Sequence, residues 1–67
     1  MYNFYFKLHP SEYCFPEDEK TLYKVTESSD DTFWVSWKLK NGEYAKVLYS
    51  LDDITKSLAS GGWIVIG

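Results

Sequence analysis

Asn41-Gly42 constrains this chain more than any other pair of neighbours. An Asn-Gly step accepts the left-handed backbone that a tight reversal requires, and apolar runs flank it on both sides. Residues 32–50 therefore read as a β-hairpin. Its register follows from pattern. A two-residue turn sets Leu39 opposite Tyr44, which puts Trp37 on a face with Lys46 and Phe33 on that of Ser50. A three-residue loop, Lys40-Asn41-Gly42 with Gly42 left-handed at a bulge, pairs the arms one residue differently. Then Phe33, Val35 and Trp37 share a face with Ala45, Val47 and Tyr49. Trp34, Ser36 and Lys38 share the other with Tyr44, Lys46 and Leu48. A one-residue slip exchanges the faces of every side chain, so the cleaner sorting predicts the three-residue loop.

That hairpin must be stabilised within 67 residues, a length that allows one domain, 1–67, near the lower limit for independent folding. One cysteine and one histidine supply neither a disulfide nor a metal cluster. Aromatic residues, 19% of the chain, take that role, since each buries roughly 150 to 250 Å².

Along the chain, Tyr2, Phe4, Phe6 and Leu8 alternate with Asn3, Tyr5 and Lys7, the pattern of a half-buried strand. Pro10 ends it, and residues 11–20 form an acidic loop in which Tyr13, Cys14 and Phe15 read as an apolar plug against the sheet edge. Residues 21–26 alternate again, with Tyr23 and Val25 on one side, Leu22 and Lys24 on the other. A polar turn, residues 27–31, leads into the hairpin. Ser50 reads as the N-cap of the one convincing helix, with Asp53 completing a weak capping box. Leu51, Ile54 and Leu58 give it a narrow apolar stripe, Asp52 and Lys56 a favourable i, i+4 pair, and Gly61-Gly62 a stop. Residues 63–66, WIVI, lack alternation and read as a strand covered on both faces. The strand–helix–strand ending predicts a parallel crossover. The expected fold is α+β: a small, mixed, mostly antiparallel sheet of about five strands with one short helix packed on one face.

Net charge is −3, from ten acids and seven lysines, with no arginine. The acids concentrate before residue 32, and Glu17, Asp18, Glu19, Asp30 and Asp31 form a candidate acidic patch. A solvated loop accounts for them better than a nucleic-acid mimic, which needs a long row of charge. Neither a basic surface nor arginine is evident, which argues against nucleic acid as a partner. No membrane span or signal segment is seen, and the lone cysteine suits a reducing, cytoplasmic setting.

Catalysis is poorly supplied, and no catalytic, cofactor or metal site is expected. His9, the single histidine, precedes a proline at a strand end and reads as a solvated edge residue. Cys14 reads as a small buried thiol. The aromatic surplus points elsewhere. A nine-residue helix is about 13 Å long at 1.5 Å per residue and cannot cover a five-stranded sheet. The other face carries Trp34, Tyr44 and Leu48, with Lys38, Lys46 and Tyr5, a candidate interface of aromatic hot spots with a lysine rim.

The last 19 residues, YSLDDITKSLASGGWIVIG, are similar to the endings of small accessory proteins of large lytic tailed bacteriophages. There a capped amphipathic helix leads to glycine and a short Trp-containing strand. The residues that carry the likeness are Ser50, Asp52, Asp53, Ile54, Leu58, Gly62, Trp63 and Val65. The resemblance implies a host-takeover or counter-defence protein that binds a bacterial protein stoichiometrically in the host cytoplasm. The expected function is thus a non-enzymatic protein-binding module, an inhibitor or modulator. The alternatives are a homodimeric or larger scaffold subunit and an acidic decoy.

Overall fold

The computed structural model describes residues 3–67; Tyr2, expected on the apolar side of the first strand, lies outside them. Five strands form one sheet: β1 (Asn3–Leu8), β2 (Tyr23–Ser29), β3 (Thr32–Lys38), β4 (Tyr44–Ser50) and β5 (Trp63–Val65). One helix, α1 (Leu51–Ala59), joins β4 to β5, and two short 3-10 turns, Pro10–Glu12 and Pro16–Lys20, fill the β1–β2 connection. The strand order is β4-β3-β2-β1-β5.

The central hairpin has the register its pattern predicts: Val35 faces Val47, Trp37 faces Ala45 and Lys38 faces Tyr44. The Gly42 N–H donates to the Leu39 carbonyl at 3.0 Å, and the Leu39 N–H to the Glu43 carbonyl at 2.7 Å, which closes the three-residue loop. Gly42 has φ +89°, and a Cβ built there meets nothing within 4 Å. Strain at this site would therefore come from the backbone alone. Gly42→Val is expected to cost more than about 1 kcal/mol in urea unfolding, because a β-branched residue resists the left-handed region. An unchanged midpoint would remove the bulged loop from the account.

All strand pairings are antiparallel, so the sheet is not mixed. The crossover through α1 carries the chain to the far edge, where β5 pairs with β1 and not with β4. Ring geometry adds a second feature. Tyr49, on β4, meets Trp63, on β5, with centroids 5.5 Å apart. These strands are the two outermost, separated by about 19 Å if the sheet were flat. The sheet must therefore curl toward this side, which becomes its inner face.

That inner face holds the core: Phe6, Val25, Phe33, Val35 and Ile54 are buried, with Phe4, Leu8, Tyr23, Trp37, Tyr49 and Trp63 packed around them. Phe6 lies between Tyr23 and Trp63, at centroid distances of 4.9 and 3.9 Å and nearly parallel to both. Burial pushes the Tyr23 phenol above its usual range, with the charges of Asp18, Tyr49 and Cys14 adding to the effect.

Helix α1 starts as expected: the Ser50 hydroxyl accepts from the Asp53 N–H at 3.1 Å, and Lys56 pairs with Asp52 at 3.0 Å. The Leu51 N–H also donates to the carbonyl of Asp31, at 2.8 Å, which ties the helix to the β2–β3 turn. Of the stripe, only Ile54 is fully buried; Leu51 and Leu58 are partly exposed, beside an apolar cavity of about 100 Å³ over Phe4, Val25 and Phe33. Gly61, at φ +81°, ends the helix.

Two local expectations are corrected. Strand β5 is not covered on both faces: it lies at a sheet edge, where Ile64, Val65 and Ile66 are exposed, and although Val65 shares the inner face with Trp63, only the Trp63 ring packs into the core. The plug at Tyr13-Cys14-Phe15 is mostly wet, with Tyr13 half-buried, Cys14 exposed and Phe15 64% exposed. What holds this loop is polar: the Asp18 carboxylate accepts the N–H groups of Cys14 at 2.7 Å and Phe15 at 3.0 Å. That local chain of bonds fixes the turn without requiring the apolar residues to be buried.

Candidate binding surface

Strand alternation sends every second residue to the outer face, the one opposite α1. The register brings all six predicted interface residues onto it. Tyr5 pairs with Lys24, Lys24 with Ser36 and Ser36 with Lys46, making one row across four strands. Trp34 pairs with Leu48 in the row on one side, and Lys38 with Tyr44 in the row on the other. No helix of the described residues covers these side chains. Tyr44 is 72% exposed, Leu48 51% and Tyr5 40%, while Trp34 is half-buried.

Charge on this face has one sign. Lys7, Lys24, Lys38 and Lys46 all occupy outer-face positions. No carboxylate shares them: Glu27 stands opposite Phe33 on the inner face, and the other acids lie in turns, the β1–β2 connection or α1. Among the described residues, the ion pairs are Lys40–Glu17 and Lys56–Asp52, so the four face lysines have no acidic partner. Two of them lie over rings, with Lys46 Nζ 4.6 Å from the Trp34 centroid and Lys24 Nζ 5.8 Å from that of Tyr5. Such contacts keep the ammonium groups on the sheet and contribute about 0.5–1 kcal/mol each where solvent reaches them.

At the hairpin end, the face runs into an open groove of about 1490 Å³ between residues 12–24 and the β3–β4 loop. Tyr5, Lys24, Lys38 and Tyr44 line its sheet side, and Glu12, Glu17 and Asp18 its loop side.

The candidate acidic patch is not one surface. Glu17, Asp18 and Glu19 lie in the second 3-10 turn, near the start of β2, while Asp30 and Asp31 form the turn at its other end. Seven strand residues, about 20 Å, separate the two groups. Asp31 adopts φ +59°, and its carbonyl receives the helix-start N–H, so part of this acidity serves turn geometry.

His9 is exposed, and its Nδ1 accepts the Ser11 N–H at 3.1 Å, capping the first 3-10 turn. Cys14 is an exposed free thiol, contrary to the buried expectation, because its short loop is held open by Asp18. No group of three or more His, Cys, Asp or Glu side chains able to hold a metal occurs among the described residues. No helix of the described residues is long and apolar enough to cross a membrane.

Sequence reasoning missed Lys7 and Lys24 as members of this face. Their parity in β1 and β2 carries the signal, which net charge along the chain conceals because the acids lie elsewhere. Comparison with known proteins adds no further constraint: no family model, no curated protein and no solved structure matches the chain.

Proposed function

We propose that the chain is a small non-enzymatic binding module that acts stoichiometrically through its outer sheet face. The observation that carries this reading is the row Tyr5, Lys24, Ser36 and Lys46, flanked by Trp34–Leu48 and Lys38–Tyr44. Two lysines and a serine run through the middle, with rings at the end of the row and in the rows beside it, on a face that the chain's own helix leaves bare. Trp and Tyr dominate the binding energy of interfaces, and unpaired lysines beside them select an acidic partner. A bacterial partner, as the resemblance to phage accessory proteins implies, belongs to the same proposal.

A scaffold reading draws on the apolar exposure of the same face. Tyr44, 72% exposed, and Leu48, 51% exposed, offer a surface that a second copy would cover. Light scattering after size exclusion, over a wide concentration range, separates the two. A monomer is expected throughout, with the face free for a partner. A stable dimer that Leu48→Lys dissociates would instead give the face to self-association.

A further inference from the structure

We infer that the outer face binds single-stranded nucleic acid, its lysines meeting phosphates and its exposed rings meeting bases; this rests on that face being the working surface. Lys24 and Lys46 share one row with Tyr5, while Lys38, paired with Tyr44, and Lys7, two residues beyond Tyr5 on β1, lie one pleat further along. The four lysines thus make a band about 7 Å deep that crosses β1 to β4 over about 14 Å, at right angles to the strands. Trp34 borders this band on one side and Tyr44 lies at its β4 end. Proteins that hold single strands combine those two elements, a cationic track for the backbone and aromatic platforms for unstacked bases.

Composition alone argues the other way, because the chain is net −3 and lacks arginine. Its carboxylates, however, occupy no outer-face strand position, and those nearest the band, Glu12, Glu17 and Asp18, line the loop side of the groove that Lys24 and Lys38 line from the sheet. At physiological salt the Debye length is about 8 Å, so acids farther from the band than this are largely screened from it. A phosphate on the band meets the four nearby lysines before it meets the net charge. The acids on the loop side of the groove confine the strand to the sheet side, and Glu17 is already engaged by Lys40 at 3.7 Å.

A duplex fits poorly. Its bases are stacked and present no ring faces to Tyr44 or Tyr5, and the sheet offers no helix or ribbon at this face to enter a groove.

The test is fluorescence anisotropy of a labelled twenty-nucleotide oligothymidylate with the intact chain, titrated at several salt concentrations. Three to four phosphate contacts predict a log–log salt slope of about −2 to −3, so affinity should fall about 15- to 60-fold between roughly 50 and 200 mM salt. The Lys24→Gln, Lys38→Gln, Lys46→Gln triple variant, altering exposed side chains only, should flatten that slope to below about 1 in magnitude. Tyr44→Ala should weaken binding fivefold or more. Binding should also quench fluorescence through Trp34, since Trp37 and Trp63 belong to the inner face; Trp34→Phe should lose the quench and keep the salt slope.

The opposite results are equally definite. Equal binding of duplex, or binding indifferent to these substitutions, overturns the inference. Competition by poly-L-glutamate as strong as by unlabelled oligonucleotide would assign the face to an acidic protein segment, overturning the nucleic-acid inference while leaving the face in use. No binding of the oligonucleotide even at the lowest salt also overturns it, and the binding-module reading is then judged by the light-scattering result alone.

Discussion

Phe6→Ala is expected to remove about 3–5 kcal/mol of folding stability, the usual cost of deleting a fully buried aromatic side chain. Phe6 is 1% exposed, and its ring is the middle of the Tyr23–Phe6–Trp63 stack. It therefore holds β5 to the sheet as well as filling the core. A domain of this length has roughly 3–10 kcal/mol in total, so the variant should be largely unfolded at ambient temperature in dilute urea. Phe15→Ala is the control: the side chain is 64% exposed, and its removal should stay within about 0.5 kcal/mol. A loss below about 1 kcal/mol for Phe6→Ala would mean that the stack is not the core.

The second large effect separates the two faces of β3. Val35 is 2% exposed between Val25 and Val47, and Val35→Ala should cost about 2 kcal/mol of stability through the cavity it leaves. Where the protein remains folded, affinity should be unchanged. Tyr44→Ala should do the reverse, costing under about 1 kcal/mol of stability and about 2 kcal/mol or more of association. Trp34→Ala should follow Tyr44→Ala in binding but cost about 1 kcal/mol of stability, because its ring is half-buried between Thr26 and Leu48. Urea unfolding and titration with the oligonucleotide, or with a captured partner, read the two quantities separately. If Trp34→Ala unfolds the chain while Val35→Ala is harmless, the working face has been placed on the wrong side.

Much of this architecture was legible because it is local. The hairpin register followed from alternation and Asn41-Gly42, and the helix start from Ser50 with Asp53. Both depend on residues a few positions apart, where pattern and physics coincide. The placement of β5 was not legible. WIVI has no alternation to declare a face, and its choice of β1 over β4 depends on the Phe6–Trp63 stack, which joins distant residues. The wetness of Cys14 and Phe15 was hidden for a similar reason. Three apolar letters suggest a buried plug, but the carboxylate of Asp18 shapes the loop through its backbone. The candidate face lay between these cases. Its six members were readable from parity, whereas its uniform charge emerged only when all four strands were laid side by side.

The bond from Tyr5 N–H to the carbonyl of Gly67, at 2.7 Å, and that from Ile66 N–H to the carbonyl of Tyr5, at 2.9 Å, join opposite ends of the described chain. This imposes an order of assembly. The β2–β3–β4 meander closes through short turns and can form early, whereas β1 gains its second neighbour only when residues 63–67 are available. During synthesis, β1 must therefore wait with one edge bare and with Phe6 missing the far side of its stack. Residues 63–67 complete the flank of β1, and until they emerge the growing polypeptide carries an apolar strand with one side open, the kind of surface on which unfinished chains associate.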